Sequence, residues 1–227
     1  MLADTLSETL QHLENAAKAA HRPTPALLAV SKLQPASAVA ELARAGQRAF
    51  GENYVQEAQA KIGELAGMDL EWHLIGHLQS NKAELAAHLF DWVQTVDRHK
   101  LIGALSRYRP ADRAPLNVLV QVNIDDEASK HGCRPEEVAG LAEAIAAEPR
   151  LRLRGLMAIP APHPDTARRI DAFRRMQALQ DQLAAKHPGV DTLSMGMSED
   201  CALAVAHGAT MVRIGTALFG ARPARTA

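Results

Sequence analysis

Leu27-Leu28-Ala29-Val30-Ser31-Lys32 is an apolar run that ends abruptly in a lysine, and a helical pattern follows it at once. Consecutive branched and aliphatic residues of this kind are typical of a short strand that is covered on both faces. The next helix is predicted to open at Pro35 and to end at Gly46, which matches the preference for proline at helix starts and glycine just past helix ends. The segment is therefore predicted to form the first strand–loop–helix unit of a parallel α/β fold.

The same unit recurs along the whole sequence. Eight short apolar runs are predicted as strands, and each is followed by a helical pattern. The predicted strands are Ala26–Val30, Ala49–Asn53, Glu71–Gly76, Trp92–Val96, Asn117–Ile124, Leu153–Ile159, Thr192–Met197 and Met211–Ile214. Eight parallel strands suffice to close a sheet, so the sequence predicts a single (β/α)8 TIM barrel. An open doubly wound sheet is the alternative, but no GxGxxG follows the first strand.

The predicted barrel has one addition at its start. Over residues 1–22 apolar residues recur at helical spacing with acidic residues between them, which predicts an amphipathic surface helix before the first strand. No linker or low-complexity tract interrupts the sequence. Residues 1–227 are therefore predicted to form one domain.

Composition and charge describe an ordinary globular protein. Apolar residues make up 47% of the chain, and 25 basic against 26 acidic residues give a formal charge of −1. This balance argues against a protein that coats nucleic acid or an anionic membrane. Cys133 and Cys201 form no CxxC pair, which predicts two reduced thiols in a cytoplasmic protein. No apolar stretch is long enough to span a bilayer, and no signal peptide is expected.

In a barrel, ligands bind where the strands end, so the residues that follow the predicted strands form one candidate site. Lys32 follows the first strand. A lone lysine at such a place is usually solvated. The functional alternative is an amine whose pKa is lowered by partial burial and positive neighbours, so that it forms a Schiff base with an aldehyde. Asn53 is a candidate polar neighbour of this lysine, and Met157 lies near the end of the sixth strand.

The last two strands supply the other half of the candidate site. Gly215-Thr216 opens a short helix, where the glycine lets an anion approach the backbone and free N–H groups donate to it. The loop Ser194-Met195-Gly196-Met197-Ser198 adds two hydroxyls, and Ser198 is predicted to cap a helix over Glu199–His207. An ordinary strand-to-helix turn is the alternative. Together, an amine for an aldehyde and a site for a phosphate suggest pyridoxal 5′-phosphate (PLP), which carries both groups.

Arg213 is the one charged residue within the last predicted strand. It lies two residues before Gly215, so both should face the same side of the sheet. A buried arginine needs a partner. One hypothesis is the pyridine nitrogen of PLP, which would stay unprotonated beside a group that only donates, making the ring a weaker electron sink. The other hypothesis is a structural ion pair with an acid in the core.

His73 and His77 have the spacing of metal ligands on a helix, but they fall within and just beyond a predicted strand. No carboxylate or cysteine completes a ligand set, so we expect ordinary buried histidines and no metal site. Lys130 lies in a charged loop after the fifth strand. It is expected to be solvated, and a second anion contact, or a second PLP site, is the alternative.

Seven segments of the chain resemble the YggS-like PLP-binding proteins, also called the PLP homeostasis family. The segments are Ala29–Lys32, Phe50–Tyr54, Trp72–Lys82, Gln121–Ile124, Gly155–Met157, Leu193–Asp200 and Arg213–Thr216. The resemblance implies a single barrel, similar in fold to the N-terminal domain of alanine racemases. It implies that PLP is bound to Lys32 and that Arg213 contacts the ring nitrogen. It also implies phosphate contacts from Ser194, Gly215 and Thr216.

The resemblance also implies a function. The family is regarded as PLP carriers in vitamin B6 homeostasis, without an established reaction, so we expect a monomeric cytoplasmic carrier that supplies PLP-dependent apoenzymes. Neither nucleic acid nor membrane is an expected partner. No catalytic residue and no metal ligand is predicted. The predicted cofactor-binding residues are Lys32, Asn53, Met157, Ser194, Arg213, Gly215 and Thr216.

A small PLP-dependent racemase or lyase is the alternative function. Racemisation needs an acid/base group on each face of the substrate carbon, and Lys32 could serve one face. In the racemases a tyrosine of a second, β-domain serves the other, whereas only residues 221–227 follow Gly220 here. The enzyme hypothesis therefore needs another second base, such as Tyr54 or His77. A barrel that binds a different phosphorylated metabolite is a third, weaker hypothesis.

Overall fold

The fold is a closed barrel of eight parallel strands, in which each strand pairs with the next along the chain and the last pairs with the first. A computed structural model describes residues 1–127, 130–161 and 163–220. The strands are β1 (Ala26–Val30), β2 (Ala49–Glu52), β3 (Glu71–Leu74), β4 (Trp92–Val96), β5 (Leu116–Val122), β6 (Leu151–Ala158), β7 (Thr192–Ser194) and β8 (Met211–Ile214). The predicted (β/α)8 TIM barrel is confirmed.

Helices surround the barrel, and one additional helix precedes β1, as predicted. The helices are α1 (Leu2–Ala19), α2 (Ala36–Arg44), α3 (Val55–Glu64), α4 (Ala83–Leu89), α5 (His99–Tyr108), α6 (Val138–Ala146), α7 (Thr166–Lys186), α8 (Cys201–Ala206) and α9 (Thr216–Phe219). Helix α1 packs against α2, α8 and α9, so it lies across the seam where the two ends of the chain meet. In the described part of the chain, no helix has both the length and the apolar character needed to cross a membrane.

The limits of the elements follow the sequence signals closely, with two informative exceptions. β7 ends at Ser194, earlier than predicted, because the chain turns away at Gly196 with a φ of 91°. The predicted cap at Ser198 is wrong. Helix α8 begins only at Cys201, because the side chain of Asp200 accepts a hydrogen bond of 2.6 Å from the backbone N–H of Met197 and holds the chain in a turn.

Both cysteines are unpaired, as expected. Cys133 and Cys201 are buried among apolar residues. Burial raises the pKa of the Cys133 thiol to about 12 and also raises that of Cys201. Both side chains therefore remain protonated, unreactive thiols at neutral pH.

The seam between β6 and β7 depends on a glycine. Gly155 has a φ of 145°, a conformation that side chains rarely adopt, and it pairs directly with Thr192. A β-carbon at this position would overlap the carbonyl oxygen of Thr192 and would meet the amide of Gln180 at 3.0 Å. Only glycine lets the two strands approach this closely.

We therefore expect Gly155→Ala to destabilise the protein by about 3–5 kcal/mol, the sum of backbone strain and overpacking. The matched control is Gly140→Ala, in the exposed middle of α6, where an added methyl group meets nothing within 4 Å. That variant should be more stable by about 0.5–1 kcal/mol, since alanine favours the helix. Urea denaturation followed by circular dichroism measures both. Equal stability of the two variants would contradict this account of the seam.

Candidate functional site

A cavity of about 840 Å³ opens at the carboxyl ends of the strands, a size typical of small-molecule sites. Its lining includes Lys32 from the loop after β1 and Arg213, Gly215 and Thr216 from β8 and the start of α9. These residues are far apart in the sequence, but β1 pairs with β8 in a register that places Leu28 beside Arg213. Barrel closure thus brings the two ends of the chain to one cavity.

Five of the seven residues predicted to bind a cofactor line this cavity. They are Lys32, Asn53, Arg213, Gly215 and Thr216. Asn53 is positioned by a close backbone contact, because a β-carbon at Gly76 would overlap its carbonyl oxygen. Glycine at position 76 therefore lets the loop after β3 lie directly against the end of β2.

The other two predicted residues lie below the cavity rather than in its lining. Met157 is fully buried and packs in a cluster with Trp92 and Leu119. Ser194 is also fully buried, and its hydroxyl already makes two hydrogen bonds within the protein. It accepts a hydrogen bond of 2.8 Å from Nη1 of Arg213 and donates one of 2.7 Å to Oε1 of Gln94. Ser198, which the sequence suggested as a helix cap, lines the cavity instead.

Arg213 does not form the structural ion pair with a core acid that was one of the two hypotheses. It is only 4% exposed, and no carboxylate lies within 4 Å of it in the described part of the chain. Its second hydrogen bond goes from Nη2 to the backbone oxygen of Ala158, 2.8 Å away. Burial lowers the pKa of Arg213 to about 10, while the more distant Asp200 acts in the opposite direction.

A chain of hydrogen bonds continues from Arg213 through the interior of the barrel. After Ser194 and Gln94, the Gln94 amide nitrogen lies 2.9 Å from Nδ1 of His73, and Nε2 of His73 lies 2.8 Å from Oε1 of Glu71. An amide nitrogen can only donate, so Nδ1 of His73 accepts and its Nε2–H donates to Glu71. All four hydrogen bonds therefore donate in the same direction, from the guanidinium to the carboxylate.

This directed chain explains how a buried cation without an adjacent acid is tolerated. Hydrogen bonds in series polarise one another in a low-dielectric interior, so the carboxylate of Glu71 stabilises Arg213 through its intermediates. The chain requires a neutral His73. Burial lowers the pKa of His73, and the hydrogen bond from His73 lowers the pKa of Glu71. His73 is thus a buried histidine, as expected.

The loop that carries Lys32 is fixed by a second buried cation, Lys61 of α3. The ammonium of Lys61 lies 2.7 Å from each of three oxygens: the Ser31 carbonyl and the carboxylates of Glu52 and Glu57. Ser31 also donates its hydroxyl to Glu52 at 2.5 Å. The residue before Lys32 is therefore held directly by two charged side chains, Lys61 and Glu52.

The residue after Lys32 is held by the same network. The backbone N–H of Leu33, which has a φ of 63°, donates to Oε1 of Glu57 at 2.5 Å. Burial raises the pKa of Glu52, and the contact with Lys61 opposes that shift. The sequence did not predict this network of buried charged side chains around Lys61. Its only sequence signal was a lysine at position 61, on the face of α3 that also carries the buried Val55 and Ala58.

The cavity offers donors to an anion and apolar walls to a flat ring. Nε of Arg169 is buried and, among the described residues, has no hydrogen-bond partner, so it is an available donor beside the cavity. Arg213 uses two of its five N–H donors in the hydrogen bonds described above. Val30 and Ile75 contribute apolar surface to the same lining. This combination suits a small, flat, anionic ligand.

Two residues that the sequence singled out lie outside this cavity. His77 is exposed, so the expectation of a buried histidine is wrong for it. Lys130 is half-buried rather than solvated, since its ammonium lies 3.2 Å from both the backbone oxygen of Ile159 and the carboxylate of Glu127. Neither residue is in the lining of the cavity.

Comparison with known proteins gives consistent results along nearly the whole chain. The family model described as "Alanine racemase, N-terminal domain" matches residues 5–223. The pyridoxal phosphate homeostasis protein of Haemophilus influenzae is 54% identical over 218 residues, covering 93% of this chain and 92% of that protein. The protein of the same name from Pseudomonas aeruginosa is 52% identical over 223 residues, covering 97% and 96% respectively.

A solved structure extends the comparison. PipY of Synechococcus elongatus, determined with PLP bound, superposes on this chain with a TM-score of 0.85 at 37% identity. The match covers 97% of this chain and all of PipY. Together with the preceding matches, this similarity shows that the chain belongs to the alanine racemase N-terminal domain family and, within it, to the pyridoxal phosphate homeostasis proteins.

Proposed function

We propose that this protein binds PLP and acts in PLP homeostasis, holding the cofactor on Lys32 and releasing it without catalysing a reaction. The single observation that carries the proposal is that Lys32, Arg213 and Thr216 line one cavity. PLP supplies an aldehyde for an amine, a pyridine nitrogen for a hydrogen-bond donor and a phosphate for an anion site. The proposal is also supported by the names of the relatives and by the PLP-bound PipY structure.

The residues present fit this cofactor. Lys32 would carry it, and the loop around Lys32 is held by the Lys61 network, so its direction is set before a ligand enters. Arg213 would donate to the ring nitrogen, and the hydrogen-bonded chain behind it fixes its orientation. Because a guanidinium cannot accept a hydrogen bond from a protonated ring nitrogen, the ring nitrogen would stay unprotonated, and the cofactor would be poor at stabilising carbanions.

The phosphate would lie at Gly215 and Thr216. The backbone N–H groups of Thr216 and Ala217 open α9 and have no preceding carbonyl within the helix, whereas those of Leu218 and Phe219 donate to the Gly215 carbonyl at 2.9 Å. The Thr216 side chain is exposed in the cavity lining. A β-carbon at position 215 would approach the backbone oxygen of Val30 at 3.3 Å, so glycine also keeps this turn close to β1. Asn53 would contact the cofactor from β2. Met157 and Ser194 would act from below, Met157 by packing and Ser194 by orienting Arg213.

We expect Lys32→Ala to lose the visible absorbance of the lysine-linked cofactor, because no amine would remain at the end of β1. Lys186→Ala is the matched control, since Lys186 is exposed at the end of α7. Lys186→Ala should retain its stability within about 0.5 kcal/mol, as is usual for an exposed position. Lys32→Ala should still fold into the barrel, which circular dichroism would show. Borohydride reduction of the unmodified protein, followed by peptide mapping, should place the pyridoxyl group on Lys32. Labelling of a different lysine would refute the assignment.

Thr216 and Ser194 should respond differently when PLP is compared with pyridoxal, which lacks the phosphate. Thr216→Ala should weaken PLP binding by about 1.5–3 kcal/mol, the loss of one hydrogen bond to a charged group, and leave pyridoxal binding unchanged. Ser194→Ala should weaken both ligands equally, because it disturbs Arg213 and not the phosphate. Dissociation constants from absorbance titrations measure the difference. A phosphate-specific effect of Ser194→Ala would restore Ser194 as a phosphate contact.

The absence of catalysis is part of the proposal and is supported by the positions of the two candidate bases. Tyr54 is 58% exposed at the start of α3, and neither it nor His77 is in the lining of the cavity. The titratable side chains in the lining, apart from those of the cations already named, are His163, Glu199 and Asp200. The carboxylate of Asp200 accepts a hydrogen bond from the backbone N–H of Met197. Nδ1 of His163 accepts one from the backbone N–H of Asp165.

Incubation of the PLP-loaded protein with amino acids in deuterated water tests this part of the proposal. We expect exchange of the α-hydrogen no faster than with free PLP at the same concentration, because, of the described residues, neither of the candidate bases Tyr54 and His77 lines the cavity. Mass spectrometry of the amino acid measures the exchange. Exchange at enzyme-like rates that disappears in Tyr54→Phe or His163→Ala would instead identify a racemase or lyase.

The proposal also covers domain organisation, oligomeric state, location and recipients. We propose that residues 1–227 act as one barrel domain, although 221–227 lie outside the described residues. We propose that the protein is monomeric and cytoplasmic, and that PLP-dependent apoenzymes receive the cofactor from it. The buried, protonated thiols of Cys133 and Cys201 are consistent with a reducing compartment.

A further inference from the structure

A second cluster of ligand-type side chains lies on the same end of the barrel, outside the cavity. His77, Asp97 and His131 come from the loops after β3, β4 and β5 respectively. One potential ligand atom from each residue lies within 4.8 Å of the corresponding atoms of the other two. The rings of His77 and His131 are stacked, with centroids 3.7 Å apart. Neighbouring parallel strands thus bring together two imidazoles and a carboxylate that are distant in the sequence.

The backbone that carries His131 is fixed rather than loose. Its carbonyl accepts a hydrogen bond of 3.2 Å from Nε2 of Gln121. Two residues later, Cys133 pairs with β5 through backbone hydrogen bonds of 2.9 Å to Gln121 and Asn123. Gly132 allows the chain to come back alongside β5. It has a φ of 121°, and a β-carbon there would lie 2.6 Å from the Asn123 nitrogen. The backbone of His131 is therefore held close to the end of β5.

Asp97 is oriented by its neighbour Arg98. The guanidinium of Arg98 contacts Oδ1 of Asp97 at 2.5 Å, and its other nitrogen donates to the backbone oxygen of Leu78 at 2.8 Å. Leu78 directly follows His77, so Arg98 ties the loops after β3 and β4 to one another. The contact uses only one of the two carboxylate oxygens. A carboxylate that is oriented in this way by an outer residue is a common feature of metal sites.

The residue types in the cluster suit a metal. Imidazole is a common metal ligand in proteins. Two imidazoles and one carboxylate are a ligand set that zinc accepts in proteins, with a fourth position left for water.

We propose that His77, Asp97 and His131 together bind one Zn²⁺ ion on the carboxyl-terminal face of the barrel. Ligand atoms in a tetrahedral zinc site lie about 3.3 Å apart, so zinc binding requires the two exposed histidine side chains to rotate out of their stacked arrangement. The charge of Arg98 opposes the metal, which favours binding in the micromolar range over the much tighter binding of buried structural zinc sites. The site is independent of the proposed PLP function, since none of its three ligands lines the cavity.

Isothermal titration of the full-length, chelator-treated and PLP-free protein with zinc chloride near neutral pH tests the proposal. We expect one zinc ion per chain. His77→Ala and His131→Ala should each weaken binding by about tenfold or more, and the double variant should abolish it. Because both histidines are exposed, circular dichroism should show that the variants remain folded. Their PLP binding should be unchanged, which separates this site from the cavity.

His99→Ala is the matched control, because His99 is exposed on the same face, immediately after Arg98, but is not a member of the cluster. It should bind zinc as the unmodified protein does. Substitution with cobalt should give visible absorption bands of a low-coordinate site, which should disappear in His131→Ala. The proposal is overturned by the absence of saturable binding, by binding that both cluster variants retain, or by equal losses in His99→Ala.

Discussion

The pairing of β1 with β8 is the interaction on which the rest of this structure depends. It closes the barrel, and its register places Leu28 beside Arg213. An open sheet with the same elements would separate Lys32 from Thr216, and neither end of the chain alone carries both an amine and an anion site. Helix α1 packs across this closure, against α8 and α9. Covering the seam with an additional helix buries apolar surface of Leu6 and Leu13 where the first and last elements meet.

The barrel interior stabilises two buried cations in different ways. Lys61 has direct carboxylate partners and a carbonyl around a single ammonium. Arg213 has neutral partners, and its compensating carboxylate, Glu71, is reached only through Ser194, Gln94 and His73. The first arrangement fixes a loop beside the cavity. The second leaves a guanidinium at the base of the cavity with donors still available, because no adjacent acid competes for them. Most members of both networks are buried, although Glu71 is exposed, so the loss of a buried member would leave its partners without hydrogen bonds.

The carboxyl-terminal face of the barrel is divided between two sets of loops. The loops after β1, β2 and β6–β8 form most of the cavity, to which Ile75 at the end of β3 also contributes, while the loops after β3, β4 and β5 carry the histidine cluster. Because each loop is attached to its own strand, one set can acquire new chemistry without disturbing the other. This separation also explains why the proposed zinc ligands and the proposed PLP contacts share no residue. The rigid scaffold between them is the strand ladder, which is held by backbone hydrogen bonds.

Local patterns in the sequence determined the elements of this fold and much of the cavity. Apolar runs predicted β1, β4 and β8 to the residue, Pro35 and Gly46 marked the ends of α2, and strand-end positions identified Lys32, Asn53, Arg213, Gly215 and Thr216. Tertiary structure alone decided the rest. Side chains alternate between the faces of a strand, and the observed end of β7 leaves Ser194 buried at the last position of the strand and Ser198 in the loop that lines the cavity. The Lys61 network and the cluster of His77, Asp97 and His131 join residues from different strand ends. A single sequence does not reveal them, because only barrel closure and strand order bring such distant side chains together.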